Sequence, residues 1–454
     1  MSQPVHDIRV EFQGDSGEGP LTWGQRAIWA VFAWLPPDDA SLNLVEVCPI
    51  APGRELTDVA AAVRTVVERH ASLRTTVRRE PTGPRQVVRG RGSITIEVIE
   101  ADAADLPQIE RRLAAAPFDH GRDLLVRVAV RLEHGRPREV VLAVSHFAAD
   151  GWSMRILGAD LTDLLAGRRL PARSAQPLSR ARWEDGPIAR RRQQRAFEHW
   201  RRGAAELPPI WMTGLDRDDT ITGRWAELDS PALAAAVRHL SAIHRLTTGM
   251  TLQSLVSLVL AIRQDETETG LRCIVATRSQ PEFAQLVAAF NQNALLRLTV
   301  TDEDQAAFFR RARTAALVAL ATTECEPDEM EDLVTATARD RGIEAGGFCF
   351  YNDVRPDAAR VTPAAGAAPP SPDLDRTVLR PLADDGRQKD AKFFLFVYEL
   401  DSTAILRLCS DPRFDGAPAF LRDLERAAVA MSTDGAGPGQ VRRRLRGRES
   451  HVPA

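Results

Sequence analysis

The chain has 454 residues, which is too long for one ordinary hydrophobic core, so its length predicts two domains. Hydrophobic residues make up 44% and charged residues 27%, as in a globular protein, and the formal net charge of −3 provides no overall basic field for nucleic acid. The N-terminal residues lack an apolar signal segment, and the other apolar stretches are too short to span a bilayer. We therefore expect a cytoplasmic protein without a membrane partner.

The first half of the chain alternates strand and helix patterns. The apolar run at 140–147 is nearly continuous, which is typical of a strand buried on both faces. Helical spacing then returns until Gly167, a predicted helix C-terminal glycine. The other predicted elements of this half are strands at 7–14 and 42–50, a helix at 21–35 with Thr22 as N-cap, and a helix at 55–73 with Thr57 as N-cap.

The second half also mixes helices and strands, which indicates an α/β fold. A shift to Arg, Pro and Ser after residue 167 predicts an interdomain crossover. The predicted helices lie near 231–243 and 252–263, the predicted strands near 272–276, 294–300, 346–351, 392–398 and 404–410, and a long loop at 355–389. The resulting domain prediction is an N-terminal domain at 1–175, a linker at 176–204, a C-terminal domain at 205–432 and a disordered basic tail at 433–454.

Several common site patterns are missing from the sequence. The five cysteines, at positions 48, 273, 325, 349 and 409, are odd in number and include no Cys-x-x-Cys pair, so we predict neither a disulfide framework nor a metal site. Most of them are interpreted as small core residues in a reducing compartment. The sequence also lacks G-x-G-x-x-G, G-x-x-x-x-G-K-[ST], G-x-S-x-G and H-E-x-x-H, which removes support for nucleotide binding, serine hydrolysis and zinc chemistry of the usual kinds.

The stretch "VVLAVSHFAADGWSMRIL" (140–157) combines residues that suit acyl transfer. A buried strand brings His146 to its rim, where an imidazole can accept or donate a proton near neutral pH. Asp150 follows in the loop, and Gly151 can adopt a positive φ that lets a substrate approach its backbone N–H. A helix begins at Trp152, and its first amides favour negative charge. A base, a glycine amide and a helix start are the parts of an acyl-transfer site.

A structural interpretation of the same residues stays open. A histidine near a strand end is more often a satisfied structural residue, and an Asp-Gly pair is more often only a turn. The pattern Ser145-His146-x-x-x-Asp150-Gly151 (SHxxxDG) therefore suggests acyl transfer without requiring it.

The pattern resembles the H-H-x-x-x-D-G motif of nonribosomal peptide synthetase condensation domains, within the chloramphenicol acetyltransferase (CAT)-like superfamily. Further segments are similar to family motifs in the family's order, and they cover nearly the whole chain. They are "LTWGQRAIW" (21–29) for S-x-A-Q-x-R-L-W, "RHASLRTTV" (69–77) for R-H-E-x-L-R-T-x-F, "PFDHGRDLLVRV" (117–128) for P-F-D-L-x-x-G-P-L-L-R, "TRSQPEFAQLVAAFNQNALLRL" (277–298) for R-x-R-P-E-L…G-x-F-V-N-T-x-x-L-R, "PDEMEDLV" (327–334) for P-F-E-x-L-V and "SDPRFD" (410–415) for Y-D-T-x-L-F-D.

The resemblance implies two CAT-like α/β sandwich domains in a V-shape with a central tunnel. It implies an acyl or aminoacyl donor on the phosphopantetheine arm of a carrier protein, joined to an amine or hydroxyl nucleophile, with no cofactor bound by the protein itself. His146 matches the catalytic histidine, and the Gly151 N–H would help to stabilise the oxyanion. Asp150 matches a structural aspartate that pairs with an arginine, for which Arg278 is the favoured residue and Arg127 and Arg74 are the alternatives.

The sequence also departs from the family pattern. Ser145 replaces the first histidine, a residue that supports the site, and strand alternation predicts that Ser145 and His146 point opposite ways. We expect the Ser145 hydroxyl to bind a backbone carbonyl or a trapped water in the packing below the loop. The asparagine of F-V-N-T falls on Gln292 or, with a one-residue shift, on Asn293. Trp152, Gln25, Gln292 and Asn293 are the candidates for contacts along the tunnel.

Three functions remain as hypotheses. The first is a condensation-type acyltransferase in natural-product biosynthesis. The second, favoured by Ser145, is a catalytically degenerate condensation fold that recruits a carrier protein or a tailoring enzyme. The third is an epimerase-like or small-molecule acyltransferase use of the site. Because no carrier-protein L-G-G-x-S or adenylation signature occurs, the sequence predicts a free-standing protein whose carrier proteins act in trans.

Overall fold

The structure is a computed structural model that describes residues 6–172, 175–214, 224–278, 280–355, 374–382 and 388–449. The chain divides into two compact units. Residues 1–191 and 276–292 form the first unit, and residues 192–275 and 293–454 form the second. Both units combine helices with β-sheets, which confirms the predicted α/β class. Residues 276–292 belong to the first unit although the chain on either side of them belongs to the second.

The first unit contains a main sheet with strand order β1-β6-β7-β8-β3 and a smaller sheet with order β2-β5-β4. Its elements are β1 (His6–Gln13), β2 (Gly17–Pro20), α1 (Trp23–Trp34), β3 (Asn43–Pro49), α2 (Leu56–Arg69), β4 (Thr75–Glu80), β5 (Gly83–Val88), β6 (Arg91–Glu100), α3 (Leu106–Ala114), β7 (Val126–Glu133), β8 (Arg136–Ser145), α4 (Gly151–Leu165) and α5 (Pro177–Glu184); α6 (Pro187–Glu206) contains the boundary with the second unit.

Strand β8 is covered on both faces, as the sequence predicts. Val140, Leu142 and Val144 join the apolar core that contains α2 and α4. Val141 and Ala143 join a second cluster with Ile109 and Leu113 of α3, so alternate residues serve opposite faces. The strand pairs antiparallel with β7 and β3, and its pairing with β3 continues to Ser145. The sheet therefore holds the end of β8, where the SHxxxDG motif begins.

The second unit contains a single long sheet among the residues that the structure describes, with order β11-β10-β12-β14-β15-β9-β13. Its helices include α8 and α11, whose apolar residues fill the core. The elements are β9 (Arg224–Ser230), α7 (Pro231–His244), α8 (Thr248–Arg263), β10 (Glu268–Ala276), β11 (Asn291–Thr299), α9 (Gln305–Ala321), α10 (Pro327–Asp340), β12 (Phe348–Asp353), β13 (Val378–Leu382), β14 (Ala391–Leu400), β15 (Ala404–Ser410), α11 (Ala417–Asp434) and α12 (Pro438–Glu449).

No single helix within the described ranges is long and apolar enough to cross a membrane. The pair α7 and α8 passes a test of length and composition when taken together, but the two helices are bent by 107°. Leu240 of α7 and Leu255 of α8 are fully buried in the core of the second unit.

Two segments differ from their predicted domain roles because a few apolar residues anchor polar helices. The predicted linker at 176–204 forms α5 and most of α6, and Ala196, Trp200 and Ala204 of α6 enter the core at intervals of four residues. The predicted disordered tail at 433–454 contains the end of α11 and all of α12, whose Val441 and Leu445 are buried. Residues 450–454 lie outside the described residues.

One helix cap and one loop also differ from the sequence prediction. Helix α2 is capped at Glu55, which exchanges hydrogen bonds with Asp58, so the prediction of Thr57 as N-cap is wrong. The predicted loop at 355–389 contains β13, which pairs with β9; residues 356–373 and 383–387 lie outside the described residues. Thr22 caps α1 as predicted, and Gly167 follows α4 with a φ of 76°, as expected of a helix C-terminal glycine.

Candidate active site

The turn after β8 holds His146 through its backbone. The Ser145 carbonyl accepts hydrogen bonds from the N–H groups of Ala148 at 2.8 Å and Ala149 at 3.3 Å. The His146 N–H donates to the carbonyl of Leu42 at 3.0 Å. The backbone on both sides of the histidine is therefore fixed before its side chain makes any contact.

His146 is partly exposed as a residue, and the Nδ1 atom of its ring is buried. No group in the described ranges meets that Nδ1 in hydrogen-bond geometry. Burial is the largest influence on the ring and lowers its pKa from 6.5, while its own carbonyl, the Asp150 carboxylate and the Ala149 carbonyl act in the opposite direction. The ring is therefore neutral near pH 7, which is the form that can accept a proton.

The Asp150 carboxylate is occupied by groups of the protein. Its Oδ1 accepts from the Ser153 N–H at 2.7 Å, so Asp150 is the N-cap of α4. Nη2 of Arg278 donates to Oδ1 at 2.8 Å and to Oδ2 at 3.0 Å, and the Phe290 N–H donates to Oδ2 at 3.2 Å. Asp150 is 1% exposed. With both oxygens bonded and buried, this side chain holds the loop and is not presented to a substrate.

Arg278 connects α4 to the segment at 276–292. Its Nη2 also donates to the Ser153 hydroxyl at 2.8 Å, and its Nη1 donates to the Leu286 carbonyl at 2.5 Å. The guanidinium lies 4.5 Å from the centre of the Phe290 ring, within the range of a cation–π interaction. The Ser153 hydroxyl in turn donates to the Ala288 carbonyl at 2.8 Å. These contacts explain why residues 276–292 belong to the first unit.

Arg278, the arginine that the sequence favours, thus makes the contact with Asp150. The two alternatives have other partners. Arg127 donates to the Ala116 carbonyl at 2.6 Å, and Arg74 donates to the Val67 carbonyl at 2.9 Å.

Gly151 is the first residue of α4 and is exposed. It is not among the described glycines with positive φ, so the expected left-handed conformation is not used. A Cβ atom at this position would meet no atom within 4 Å apart from its chain neighbours and the backbone of α4. By its position at the start of a helix, the Gly151 N–H has no acceptor within its own helix. The glycine therefore leaves open space beside a backbone donor, five residues after His146 in the chain.

Ser145 differs in part from the sequence expectation. It is fully buried, as expected for a packing residue. Its Oγ lies 2.9 Å from Nε2 of His120 and accepts from the Phe147 N–H at 3.3 Å. The predicted partner, a backbone carbonyl or a water, is thus replaced by an imidazole. Sequence reasoning missed His120, and the available signal was the histidine that stands in "PFDH" where the motif quoted above has leucine.

The four tunnel candidates fall in different environments. Gln25 is fully buried, and its Oε1 accepts from the Thr22 N–H at 2.9 Å, which completes the cap of α1. Its amide thus has a structural use, and its contact with a substrate stays a prediction. Gln292 is 5% exposed and Asn293 is half-buried, on opposite faces of β11. Trp152 is half-buried, with the Arg155 guanidinium 5.0 Å from its ring centre.

The described part of the chain contains no group of three or more His, Cys, Asp or Glu side chains that could hold a metal ion. All five cysteines are buried and unbridged.

Comparison with known proteins identifies the family. The Condensation domain model matches residues 15–342. The phosphinothricin tripeptide synthetase PhsC of Streptomyces viridochromogenes is 27% identical over 308 residues, which are 63% of this chain and 28% of the synthetase. The chain thus spans less than a third of that curated relative.

Two solved structures share the fold. SgcC5 from Streptomyces globisporus has a TM-score of 0.68 and 19% identity, with 91% of this chain and 99% of SgcC5 covered. The X-domain from teicoplanin biosynthesis, solved in complex with OxyB, has a TM-score of 0.67 and 18% identity, with 97% of this chain and 98% of that chain covered. Since the family model matches well over half of its residues, the chain belongs to the condensation domain family.

Proposed function

We propose that this condensation-domain protein is an acyltransferase of natural-product biosynthesis. It joins an acyl or aminoacyl group, carried as a thioester on the phosphopantetheine of a carrier protein, to an amine or hydroxyl nucleophile. The product is an amide or an ester. The observation that carries the proposal is a neutral His146 ring on a partly exposed residue, held by its backbone in the turn that leads to the uncrowded Gly151.

The chemistry assigns one role to each of these groups. The nucleophile attacks the thioester carbon as its proton passes to the His146 ring, and the oxyanion that forms accepts a hydrogen bond from the Gly151 N–H. The C–S bond then breaks, and the phosphopantetheine thiolate takes the proton from the imidazolium. The neutral imidazole is restored, so no other co-reactant is needed. Asp150 and Arg278 keep the turn and the helix start in place throughout.

A recruitment module is the second candidate function. The replacement of the motif's first histidine by Ser145 favours it, and the X-domain that was solved with OxyB offers a precedent on the same fold. The neutral His146, the uncrowded Gly151 and the satisfied Asp150 favour the acyltransferase, because a module that only binds a partner does not require them together.

The first prediction separates these two functions. The purified protein is mixed with acyl-loaded carrier proteins and candidate amines or alcohols, and products are measured by intact mass. We expect product from the wild type and a decrease of about 10²–10⁴-fold in turnover for His146→Ala, since a general base contributes about that much. His6→Ala, a change of an exposed histidine in the same unit, is the matched control and should leave turnover unchanged. Wild-type turnover in His146→Ala would exclude His146 from the mechanism and favour recruitment.

The second prediction concerns pH. Burial lowers the pKa of His146 below 6.5, so the neutral, proton-accepting form persists as the pH falls past that value. We expect kcat/KM to decrease only as the pH falls through this lowered pKa, with a midpoint below 6.5. The residual activity of His146→Ala should not show this decrease at low pH. A midpoint at or above 6.5 would contradict a desolvated base.

The third prediction concerns Asp150→Asn. Asparagine is as good an N-cap as aspartate, so this change keeps the cap of α4 through the Ser153 N–H. It removes the charge that Arg278 needs, and it replaces Oδ2, which accepts from Arg278 and the Phe290 N–H, by an amide NH2 that cannot accept. Because it leaves a buried guanidinium without its carboxylate, we expect a loss of about 3–5 kcal/mol in unfolding free energy together with a loss of turnover. Thermal or urea unfolding and the mass assay measure the two effects.

Asp304→Asn is the matched control for this change. Asp304 caps α9 through the Ala307 N–H at 2.7 Å and is exposed. We expect its change to asparagine to leave stability and turnover nearly unaltered. Lost turnover with unaltered stability in Asp150→Asn would instead assign Asp150 a direct part in the chemistry.

The fourth prediction concerns Gly151→Ala. Apart from its chain neighbours and the backbone of α4, the added methyl group meets no atom within 4 Å, so the melting temperature should not fall. It would occupy the space beside the helix start, and we expect turnover to decrease by about tenfold or more because a small misplacement of the substrate is costly. Gly447→Ala, another open position on a helix, should change neither quantity. Full turnover in Gly151→Ala would show that no reacting group uses this space.

A further inference from the structure

The contact between Ser145 and His120 has no part in the mechanism described above. His120 lies in the loop between α3 and β7, 25 residues before Ser145. Its Nε2 is 2.9 Å from the Ser145 Oγ. Ser145 stands where the motif H-H-x-x-x-D-G has its first histidine, and His120 stands where P-F-D-L has leucine. Two residues that depart from the family motifs therefore contact each other directly.

The hydrogen-bond inventory of the hydroxyl gives the direction of this contact. The Ser145 Oγ accepts from the Phe147 N–H and has one more acceptor site and one proton. Within the described residues, Nε2 of His120 is the acceptor that this buried proton can reach, so we assign the hydroxyl as the donor and Nε2 as the acceptor. That arrangement requires a neutral His120 ring with its proton on Nδ1. Burial lowers the pKa of His120 to about 4, against Asp119 and Asp123, which raise it, and with Arg79, which lowers it further. The ring is thus neutral near pH 7.

Aromatic rings surround His120 on its other sides. The ring centre of Phe32 is 4.3 Å away, and that of Trp29 is 5.9 Å away, both on α1. The Phe147 ring lies edge-on at 5.9 Å. His120 therefore contacts both chain neighbours of His146, Ser145 by a hydrogen bond and Phe147 by its ring.

We propose that His120 is a positioning residue of the site, whose hydrogen bond with Ser145 and packing against Phe147 fix the two residues that flank His146. This inference rests on the proposed acyl transfer for its effect on turnover. Its structural part, the coupling between the His120 and His146 rings, can be measured without any substrate.

A serine next to an imidazole is also the arrangement of a nucleophile and its base. Ser145 is fully buried, and its hydroxyl is enclosed by His120 and the backbone of Phe147, so a carrier-bound thioester cannot reach it in this conformation. The positioning role follows from this burial, and an acyl group on Ser145 is the outcome that would contradict it.

The experiment compares His120→Leu, His120→Gln, Ser145→Ala and the double variant Ser145→Ala/His120→Leu with the wild type. Leucine fills similar space without a polar atom, whereas the glutamine amide can still accept from the hydroxyl. Histidine side-chain resonances, with nitrogen-15 labelling, report the tautomer of His120 and the titration of His146. Turnover is measured by intact mass. His6→Leu is the matched control, because the same exchange at an exposed site should alter neither ring.

We expect a wild-type His120 with its proton on Nδ1, and a shifted His146 titration in His120→Leu. We expect kcat to decrease about 10- to 100-fold in His120→Leu with little change in KM, and to stay within about fivefold of wild type in His120→Gln. The Ser145→Ala change should add nothing in the His120→Leu background.

Three results would overturn the proposal. They are unaltered His146 resonances in both His120 variants, independent effects of Ser145→Ala and His120→Leu, and a covalent acyl group on Ser145 after incubation with loaded carrier. Should His120→Leu fail to fold, His120→Gln and Ser145→Ala still provide the tautomer and the titration. If the wild type forms no product with any carrier, the proposed function fails, and the resonances alone decide whether His120 positions His146.

Discussion

The buried ion pair between Asp150 and Arg278 is the interaction on which the rest of the candidate site depends. The two side chains are 1% and 6% exposed and meet at 2.8 Å. Removing two charges from water is expensive, so such a pair adds little net stability compared with apolar residues of similar size. Its value is geometric. Neither charge can leave its partner without a large penalty, so the start of α4 and the segment at 276–292 are held in one arrangement.

This ion pair gives the residues of the motif different roles. The oxygens of Asp150 are bonded to a side chain and two backbone amides, which leaves none for a substrate. His146 lies four residues earlier, before the helix, as a partly exposed residue whose backbone is fixed by the carbonyl of Leu42. A rigid, satisfied anchor four residues from a neutral imidazole suits a site that must hold a proton acceptor in place.

The sequence predicts local features of this arrangement well. The buried run of β8 has no polar residue from Val140 to Val144, and Thr22 and Gly167 are strong helix-end signals, so each could be identified without tertiary contacts. The predictions were wrong where a few residues determine the structure of a segment whose overall composition indicates something else. Glu55 and Asp58 form a reciprocal cap that displaces Thr57. In α12, Val441 and Leu445 fix a helix that is otherwise rich in arginine.

Contacts that the sequence does not show account for the remaining differences at the site. Gln25 matches a motif position, but its amide completes a helix cap, and nothing in the local sequence distinguishes that use from substrate binding. Ser145 and His120 are 25 residues apart, in segments whose strands pair only in the folded sheet. Each is visible as an isolated departure, and only the fold shows that they form a pair.

The surroundings of His146 also suit the chemistry of a thioester. In a serine hydrolase, a carboxylate bonds to Nδ1 of the histidine and stabilises its protonated form, because a serine hydroxyl must be activated toward an unreactive amide or ester. Here Nδ1 is buried without a carboxylate, and burial lowers the pKa of the ring, so the imidazole is a weaker base. A thioester is already an activated donor, and an amine that has attacked it becomes acidic as positive charge develops on nitrogen. A weak, neutral base held in place is sufficient to remove that proton, and it releases the proton readily to the departing thiolate.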